Sequence, residues 1–321
     1  MTNHPSLIKI GIINYPGAMQ SAVQGLKEMF LLANEICQQR EIEQLFSIEL
    51  YDIATIQQSM ADIKSNKKPS LLQVILIPPN IVGEYYLSPE QQLKNWILLH
   101  HARGTVVCSA CAGAFILAST CLLKNRQATT HWKLASQFSL EYPQVRLDIN
   151  KILINDGDII TAAGLMSWID LGLELVAQFT HPSVMRQLGK YLIVDTGLRE
   201  QRYYQSFYPK LDHGDSVILK AQHYLQAHFH GPITVTTLST LSCLTNRTFL
   251  RRFMKATGLK PTQYLQRLRI QKACDLIETT NETFEAISLK IGYQDTSAFR
   301  KIFLNVIGLT PRDFKNRFTG G

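Results

Sequence analysis

The sequence predicts two domains, an N-terminal α/β domain with a parallel sheet and an all-α C-terminal domain with two helix-turn-helix units. Apolar runs alternate with helical patterns over the first two-thirds of the chain, and the last hundred or so residues are helical throughout. Residues 214–321 hold 15 Lys and Arg against 7 Asp and Glu, whereas residues 1–213 hold 18 of each. The whole excess of +8 therefore lies in the C-terminal third, which is typical of a domain with a polyanionic partner such as nucleic acid.

Short apolar runs in the N-terminal part predict buried strands, and the segments between them have helical spacing. Because strands and helices alternate, we expect a parallel sheet with helices on both faces. The predicted strands are Ile8–Ile13, Phe46–Tyr51, Val74–Ile77 and Thr105–Cys108, and the predicted helices are Ser21–Arg40, Pro89–His101, Cys111–Ser119 and Met166–Phe179.

Domain boundaries and cellular location are predicted from composition. Gly, Pro and charged residues without periodicity over 196–213 indicate a linker, which leaves a first domain of 1–195 and a second of 214–321. The sequence has no apolar run of membrane-spanning length, and Met1–Ser6 lacks the layout of a signal peptide. The six cysteines show no disulfide-framework spacing. We therefore expect a cytoplasmic protein with no membrane partner.

An internal repeat with an offset of 50 residues organises the C-terminal part. Each copy has the pattern of a helix, a tight turn and a second helix, and Pro261–Glu278 is predicted to connect the copies as one long helix. Thr245 is expected to cap the second helix of the first copy, and Asp295 or Thr296 that of the second. The offset aligns Leu241 with Ile291, Phe249 with Phe299, Phe253 with Phe303, Gly258 with Gly308, Leu259 with Leu309, Pro261 with Pro311 and Tyr264 with Phe314.

The second helix of each copy is predicted to have one buried and one exposed face. Phenylalanines four residues apart share the buried face. Arg side chains on the other face can pair with guanine edges, and Ser or Thr can bind bases or phosphates. The candidate DNA-facing residues are Asn246, Arg247, Arg251, Thr296, Ser297, Arg300 and Lys301, with Lys301 assigned to a phosphate.

Glycines, prolines and aromatic residues stand at many fixed spacings in this part of the chain. They include Thr257-Gly-Leu-Lys-Pro261, Tyr264-Leu-Gln-Arg-Leu-Arg269 and Ile291-Gly-Tyr-Gln-Asp-Thr-Ser-Ala-Phe299. In these positions the chain resembles the AraC/XylS transcription regulators over nearly all of 215–318. The resemblance implies double-stranded DNA as the partner, with two recognition helices on successive major-groove faces about 34 Å apart. RNA polymerase is a further partner that it suggests.

Small residues surround Cys111 in the segment Cys108-Ser-Ala-Cys111-Ala-Gly-Ala-Phe115, between a predicted strand and a predicted helix. This pattern predicts a strained strand-to-helix elbow with the thiol at a helix N-terminus, where the helix dipole favours thiolate. One alternative is a buried, inert cysteine in a small-residue turn. Another is a redox switch formed by Cys108 and Cys111.

This segment, with Tyr15-Pro-Gly17 upstream and His131-Trp132 downstream, resembles the PfpI/ThiJ-like branch of the class I glutamine amidotransferase superfamily. Fused to an AraC-type tail, it is similar to the GlxA-like regulators, which implies a flavodoxin-like first domain and a homodimer. The peptidase-like members have a histidine directly after the cysteine and a nearby carboxylate, but Ala112 and Ala22 stand there in this chain. Trp168-Ile-Asp170 likewise replaces the His-x-Glu pair of amidotransferases.

The missing partners favour a sensor over an enzyme, because a nucleophile without a positioned base is poorly equipped for acyl transfer. Our hypothesis is a small-molecule pocket formed by Cys111, Ala112, Gly113 and His131, for a quaternary-amine or amino-acid-like metabolite. We expect no cofactor and no metal, and surface positions for the histidines near the start of the second domain. The alternative is residual cysteine-dependent hydrolase or glyoxalase-like activity.

Overall fold

The computed structural model describes residues 7–65, 71–197 and 199–319. The chain separates into two compact units, Met1–Gln201 and Arg202–Gly321, so the predicted linker 196–213 is divided between them. The expectation drawn from Met1–Ser6 concerns residues outside the described ranges. None of the helices in those ranges is long and apolar enough to cross a membrane.

A six-stranded sheet forms the centre of the first unit. In spatial order its strands are β2 (Leu45–Asp52), β1 (Leu7–Asn14), β3 (Val74–Ile77), β4 (Val106–Ala110), β8 (Ile159–Ala162) and β7 (Leu153–Asn155). The first five are parallel; the four predicted strands are among them, whereas β8 was not predicted, and the edge strand β7 runs antiparallel to β8. The sequence does not predict β7, because three residues are too few for a periodic pattern. A separate parallel pair is formed by β5 (Gln127–Ala128) and β6 (Arg146–Leu147).

Helices pack on both faces of this sheet, and their apolar sides join its strands in one core. The first, sixth and seventh helices contact one another, and the second, third and fourth form another connected group. The helices are α1 (Gln20–Gln39), α2 (Ile53–Lys64), α3 (Gln91–His101), α4 (Gly113–Ser119), α5 (Ala135–Glu141), α6 (Trp168–Phe179) and α7 (Pro182–Leu192), and short 3₁₀ helices cover Tyr85–Leu87, Trp132–Leu134 and Gln201–Tyr204.

The second unit is helical, with two apolar cores that share one long helix. That helix is predicted over Pro261–Glu278 and observed over Pro261–Thr279; its first half packs into one core and its second half into the other. The helices are α8 (Ser216–His228), α9 (Val235–Leu241), α10 (Asn246–Thr257), α11 (Pro261–Thr279), α12 (Phe284–Lys290), α13 (Thr296–Ile307) and α14 (Pro311–Phe318).

The two copies of the repeat differ by one residue in their turns. The second helices, α10 and α13, begin 50 residues apart, but the first helices, α9 and α12, begin 49 apart. The predicted equivalence of Leu241 and Ile291 is therefore wrong: Ile291 is fully buried, whereas Leu241 is 51% exposed. The turn of the second copy is longer by one residue, which a single constant offset cannot represent.

Candidate functional site

Cys111 forms a sharp elbow between β4 and α4. Its φ of +54° lies in the left-handed region, which residues other than glycine rarely adopt. The Cys111 N–H donates to the Ala162 carbonyl oxygen at 2.8 Å, and the Thr130 hydroxyl donates to the Cys111 carbonyl oxygen at 2.7 Å. The predicted elbow is therefore confirmed, and α4 begins at Gly113, not at Cys111, because the cysteine backbone is not helical.

The Cys111 thiol is buried among polar and aromatic neighbours. The backbone N–H groups of Ala112 and Gly164 donate to the sulfur, and Tyr15 and Tyr86 lie close enough to interact with it electrostatically. Burial raises the pKa of the thiol to about 11, although the two N–H groups act in the opposite direction. Of the two interpretations of Cys111, the buried thiol is favoured over the thiolate, because desolvation outweighs the local dipoles.

Gly113 allows α4 to approach the end of β3. A Cβ atom at this position would lie 2.7 Å from the carbonyl oxygen of Ile77 and 2.8 Å from that of Pro78. These contacts are shorter than real Cβ atoms make, so a side chain would push the helix away from the strand. The second N–H group at the Cys111 sulfur belongs to Gly164, and Gly113 serves close packing.

His131 lies in the loop after β5, which Thr130 ties to the elbow. Its Nδ1 accepts a hydrogen bond from the Lys133 N–H at 3.1 Å, so the neutral ring carries its proton on Nε2. Burial lowers the pKa of His131, and the charge of Lys133 lowers it further. The ring is thus a neutral group with one N–H donor at Nε2.

The buried side chain of Gln201 links the same loop to the end of the first unit. Its Nε2 donates to the carbonyl oxygens of Thr130 at 3.1 Å and Ile149 at 2.7 Å, and its Oε1 accepts from the Trp132 N–H at 2.7 Å. Thr130 in turn binds the carbonyl of Cys111. Because Gln201 is the last residue of this unit, a continuous set of hydrogen bonds runs from the elbow to the unit boundary.

In the second unit, side chains cap the N-termini of both α10 and α13. The Thr245 hydroxyl accepts from the Thr248 N–H at 3.3 Å, and the Asp295 carboxylate accepts from the Ser297 N–H at 2.8 Å. Asp295, and not Thr296, is therefore the cap of the second copy. The predicted inner faces are also confirmed by four fully buried side chains, Phe249, Phe253, Phe299 and Phe303.

The outer face of α10 carries most of the candidate DNA-facing residues of the first copy. Arg247 and Arg251 are exposed, and neither has a side-chain hydrogen bond or ion pair to any part of the chain that the structure describes. Asn246 is also exposed, but its Oδ1 accepts a hydrogen bond from the Ser239 hydroxyl at 2.5 Å. The two arginines therefore have all their donors available, whereas the amide oxygen of Asn246 is already engaged by Ser239.

The outer face of α13 differs from that of α10. Ser297, Arg300 and Lys301 are exposed there, and Thr296 is half-buried at the start of the helix. The guanidinium of Arg300 donates to Glu285 of α12 at 3.0 Å, and more than half of each side chain is exposed. An ion pair this exposed contributes only about 0–1 kcal/mol, so Arg300 can exchange it for another partner at small cost.

Comparisons with known proteins agree with this division of the chain. Residues 54–178 match the model of the DJ-1/PfpI family, and residues 238–317 match a model described as a helix-turn-helix domain. The chain is thus similar to the DJ-1/PfpI family over residues 54–178 and to a helix-turn-helix domain over residues 238–317, and the two units are called the DJ-1/PfpI domain and the helix-turn-helix domain below.

Two curated relatives come from Pseudomonas aeruginosa. The HTH-type transcriptional regulator ArgR is 27% identical over 220 residues, which are 68% of this chain and 66% of ArgR. The HTH-type transcriptional regulator CdhR is 26% identical over 221 residues, which are 68% of this chain and 65% of CdhR. The chain thus spans slightly less than two thirds of the length of either regulator.

A solved structure of an AraC family transcriptional regulator from Pseudomonas putida is 15% identical. It covers 57% of this chain and 98% of its own chain with a TM-score of 0.47.

The sequence missed several neighbours of the elbow in the DJ-1/PfpI domain. Tyr86, Gly164 and Gln201 come together with Cys111 or its loop only through the fold. In the helix-turn-helix domain it missed Glu285 as the partner of Arg300. The sequence signal that could have predicted this ion pair is an acidic residue on the helix that precedes a basic helix face.

Proposed function

We propose that this protein is a sequence-specific DNA-binding transcription regulator that contacts double-stranded DNA through the outer faces of α10 and α13. The observation that carries the proposal is the pair of capped helices, each with one aromatic face in the core and cationic side chains on the other. A basic, exposed helix face after a tight turn is suited to the major groove. The net charge of +8 over residues 214–321 supports the same partner.

The roles proposed for the individual residues follow from their availability. Arg247 and Arg251 can bind guanine edges directly, because their guanidinium groups have no competing ion pair among the described residues. Arg300 reaches DNA by leaving Glu285. Lys301 binds a phosphate, since a flexible ammonium group is a poor discriminator of bases. Asn246, Thr296 and Ser297 complete the proposed interface.

Selection of genomic fragments by the purified full chain tests this proposal. We expect a reproducible set of sites, and we expect Arg251→Ala to weaken binding to them by about fivefold or more, since one arginine–guanine pair is worth about 1–3 kcal/mol. Arg186→Ala, on an exposed position of α7, removes the same charge from the other domain and is the matched control. Equal affinity of the full chain for selected and random fragments would contradict the proposal.

The DJ-1/PfpI domain is proposed to sense a small molecule at Cys111, Ala112, Gly113 and His131. A protonated thiol and a neutral imidazole with an Nε2 proton provide polar groups that can orient a ligand. Tyr15 and Tyr86 add aromatic surface beside the sulfur. A high thiol pKa is unfavourable for nucleophilic catalysis, which supports binding over hydrolase or glyoxalase chemistry. The buried Cys108, whose pKa burial also raises, disfavours the redox alternative.

The hydrogen bonds of Gln201 support a route from the proposed ligand site to the end of the first unit. A ligand that moves His131 must also move Thr130 or Trp132, which the Gln201 side chain holds on both sides. Such a shift changes the position of the residue that precedes the second unit. We further propose that the regulator acts as a homodimer in the cytoplasm and that its output involves RNA polymerase.

A thermal-shift screen of metabolites against the full chain tests the sensor. We expect at least one compound, quaternary amines and amino acids included, to raise the Tm of the DJ-1/PfpI domain, because a ligand that binds only the folded state stabilises it. Cys111→Ala should abolish that rise, whereas Cys121→Ala, at an exposed cysteine, should preserve it. A stabilising compound that acts equally on both variants would place the site elsewhere.

A further inference from the structure

The outer face of α10 has an apolar side chain beside its cations. Leu250 is 38% exposed, and it lies outside the apolar cluster formed around Phe249 and Phe253. Arg247 precedes it by three residues and Arg251 follows Arg247 by four, so the three side chains lie within about 100° of the helix circumference, with Leu250 at the edge nearer to Phe253. A leucine at this place is not required by the core of the domain.

The equivalent position of the second copy carries a different residue. With the offset of 50 residues between α10 and α13, Leu250 is equivalent to Arg300, and Arg251 is equivalent to Lys301. The outer faces of the two helices thus have the same position in the repeat, but one carries an apolar side chain where the other carries a cationic one. Two units with different side chains at an equivalent position discriminate between different base pairs.

The chemistry around Leu250 restricts its partner. A protein surface that covered the leucine would also have to cover Arg247 and Arg251 and satisfy both charges. The major groove of DNA offers phosphates and guanine acceptors to the arginines and, at every thymine, one exposed methyl group. That methyl group is the only apolar group that the edges of the four bases present in the groove.

We propose that Leu250 binds the C5-methyl group of a thymine. The half-site bound by the first helix-turn-helix unit then contains a thymine at one position, and Arg300 binds the corresponding position of the half-site of the second unit. The inference rests on the proposed DNA-binding function and adds a specificity-determining residue to it. It also makes the two half-sites unequal in sequence, although the protein units are repeats.

Replacement of thymidine by deoxyuridine tests the proposal, because it removes only the methyl group. The full chain is first used to select its preferred duplex from a random pool, and each thymidine of that duplex is then replaced singly. We expect one replacement in the half-site of the first unit to raise the Kd about fourfold, the effect of burying roughly one methyl group.

Variants identify the residue responsible. Leu250→Ala should bind more weakly than the parent chain and should show the same Kd with thymidine and deoxyuridine at that position. Leu241→Ala, an exposed leucine on α9, should keep the fourfold difference. Both alanine variants are expected to fold, since the replaced side chains are exposed and alanine favours helix.

Two results would overturn the inference: no thymidine whose methyl group matters to the parent chain, or an undiminished deoxyuridine effect in Leu250→Ala. Either result leaves the proposed function intact if a preferred duplex was selected. Failure to select any preferred duplex contradicts the proposed function itself.

Discussion

At Cys111, a single residue combines backbone strain with an unreactive thiol. The left-handed backbone is held by hydrogen bonds to Ala162 and from Thr130, and strain of this kind persists where surrounding structure enforces it, often at functional sites. Burial keeps the sulfur protonated. The elbow geometry common to nucleophiles is therefore present without the ionisation that nucleophilic attack requires.

Alkylation of the folded protein measures this directly. At pH 7 we expect iodoacetamide to label the exposed Cys121 and Cys243 first and Cys111 slowly, because only the thiolate reacts and the pKa of Cys111 is raised to about 11. Its rate should rise with pH as long as the protein stays folded. Peptide mass spectrometry provides the rates, and preferential labelling of Cys111 at neutral pH would show that the thiolate is favoured after all.

Gly292 is the residue on which the second turn depends. It has a φ of +88°, and a Cβ atom there would lie 2.4 Å from the carbonyl oxygen of His230. Gly258 also has a positive φ, but a Cβ atom there would meet nothing within 4 Å. A comparison of alanine substitutions at Gly258 and Gly292 therefore separates the cost of a left-handed backbone from the cost of a steric clash.

We predict that Gly258→Ala lowers the free energy of unfolding by about 1–2 kcal/mol, the cost of a left-handed alanine. Gly292→Ala should cost clearly more, because the backbone at His230 must also move. Denaturant titration of both variants provides the comparison. Equal costs would mean that the turn tolerates a side chain and that the close approach to His230 is unimportant.

Among the helices, α11 connects the two cores and also fixes the end of α8. The guanidinium of Arg269 donates to the carbonyl oxygens of Phe229 at 2.7 Å and Gly231 at 2.8 Å, and it lies over the ring of Tyr293. One side chain thus contacts the segment that leads into the first copy and the turn of the second.

We predict that Arg269→Lys lowers the free energy of unfolding by about 1–3 kcal/mol, since an ammonium group cannot reproduce both hydrogen bonds of the guanidinium fork. Arg267→Lys, at an exposed position of the same helix, should change it by a few tenths at most. Chemical denaturation of the two variants under identical conditions is the measurement. A loss of the same size in both would assign the effect to the helix surface in general.

Local patterns predicted the elements, and distant contacts account for what they missed. The four-residue spacing of Phe249 and Phe253 was sufficient for the inner face of α10, because helical periodicity is a local property. Small residues around Cys111 were sufficient for the elbow. They could not decide between a thiolate and a buried thiol at Cys111, because the desolvation that raises the thiol pKa comes from tertiary packing. Gln201 lies 71 residues from Thr130 along the chain, and no sequence pattern relates them.

For the whole molecule, the division of charge between the two domains determines how the affinity of the proposed DNA binding depends on salt concentration. The net charge of +8 over residues 214–321 and the neutral balance over residues 1–213 assign the electrostatic part of the proposed DNA binding to the helix-turn-helix domain. Counterions released from phosphates make the affinity fall as salt rises. Groups that bind phosphates contribute to this slope equally on every sequence.

Lys301→Ala tests that assignment. We predict a decrease of about one in the steepness of log K against log salt, with equal weakening on selected and random duplexes. Arg186→Ala in the DJ-1/PfpI domain should leave the slope unchanged. Fluorescence anisotropy over a range of salt concentrations provides both values. Weakening confined to the selected duplex would make Lys301 a base-contacting residue.

The claim that both copies of the repeat bind bases is tested most directly by methylation-protection footprinting of the selected duplex with the full chain. We predict two protected major-groove segments on one face of the DNA, with centres about 10 base pairs apart. Arg251→Ala should remove protection from one segment and Arg300→Ala from the other. A single protected segment, or two segments that both variants weaken equally, would contradict the account.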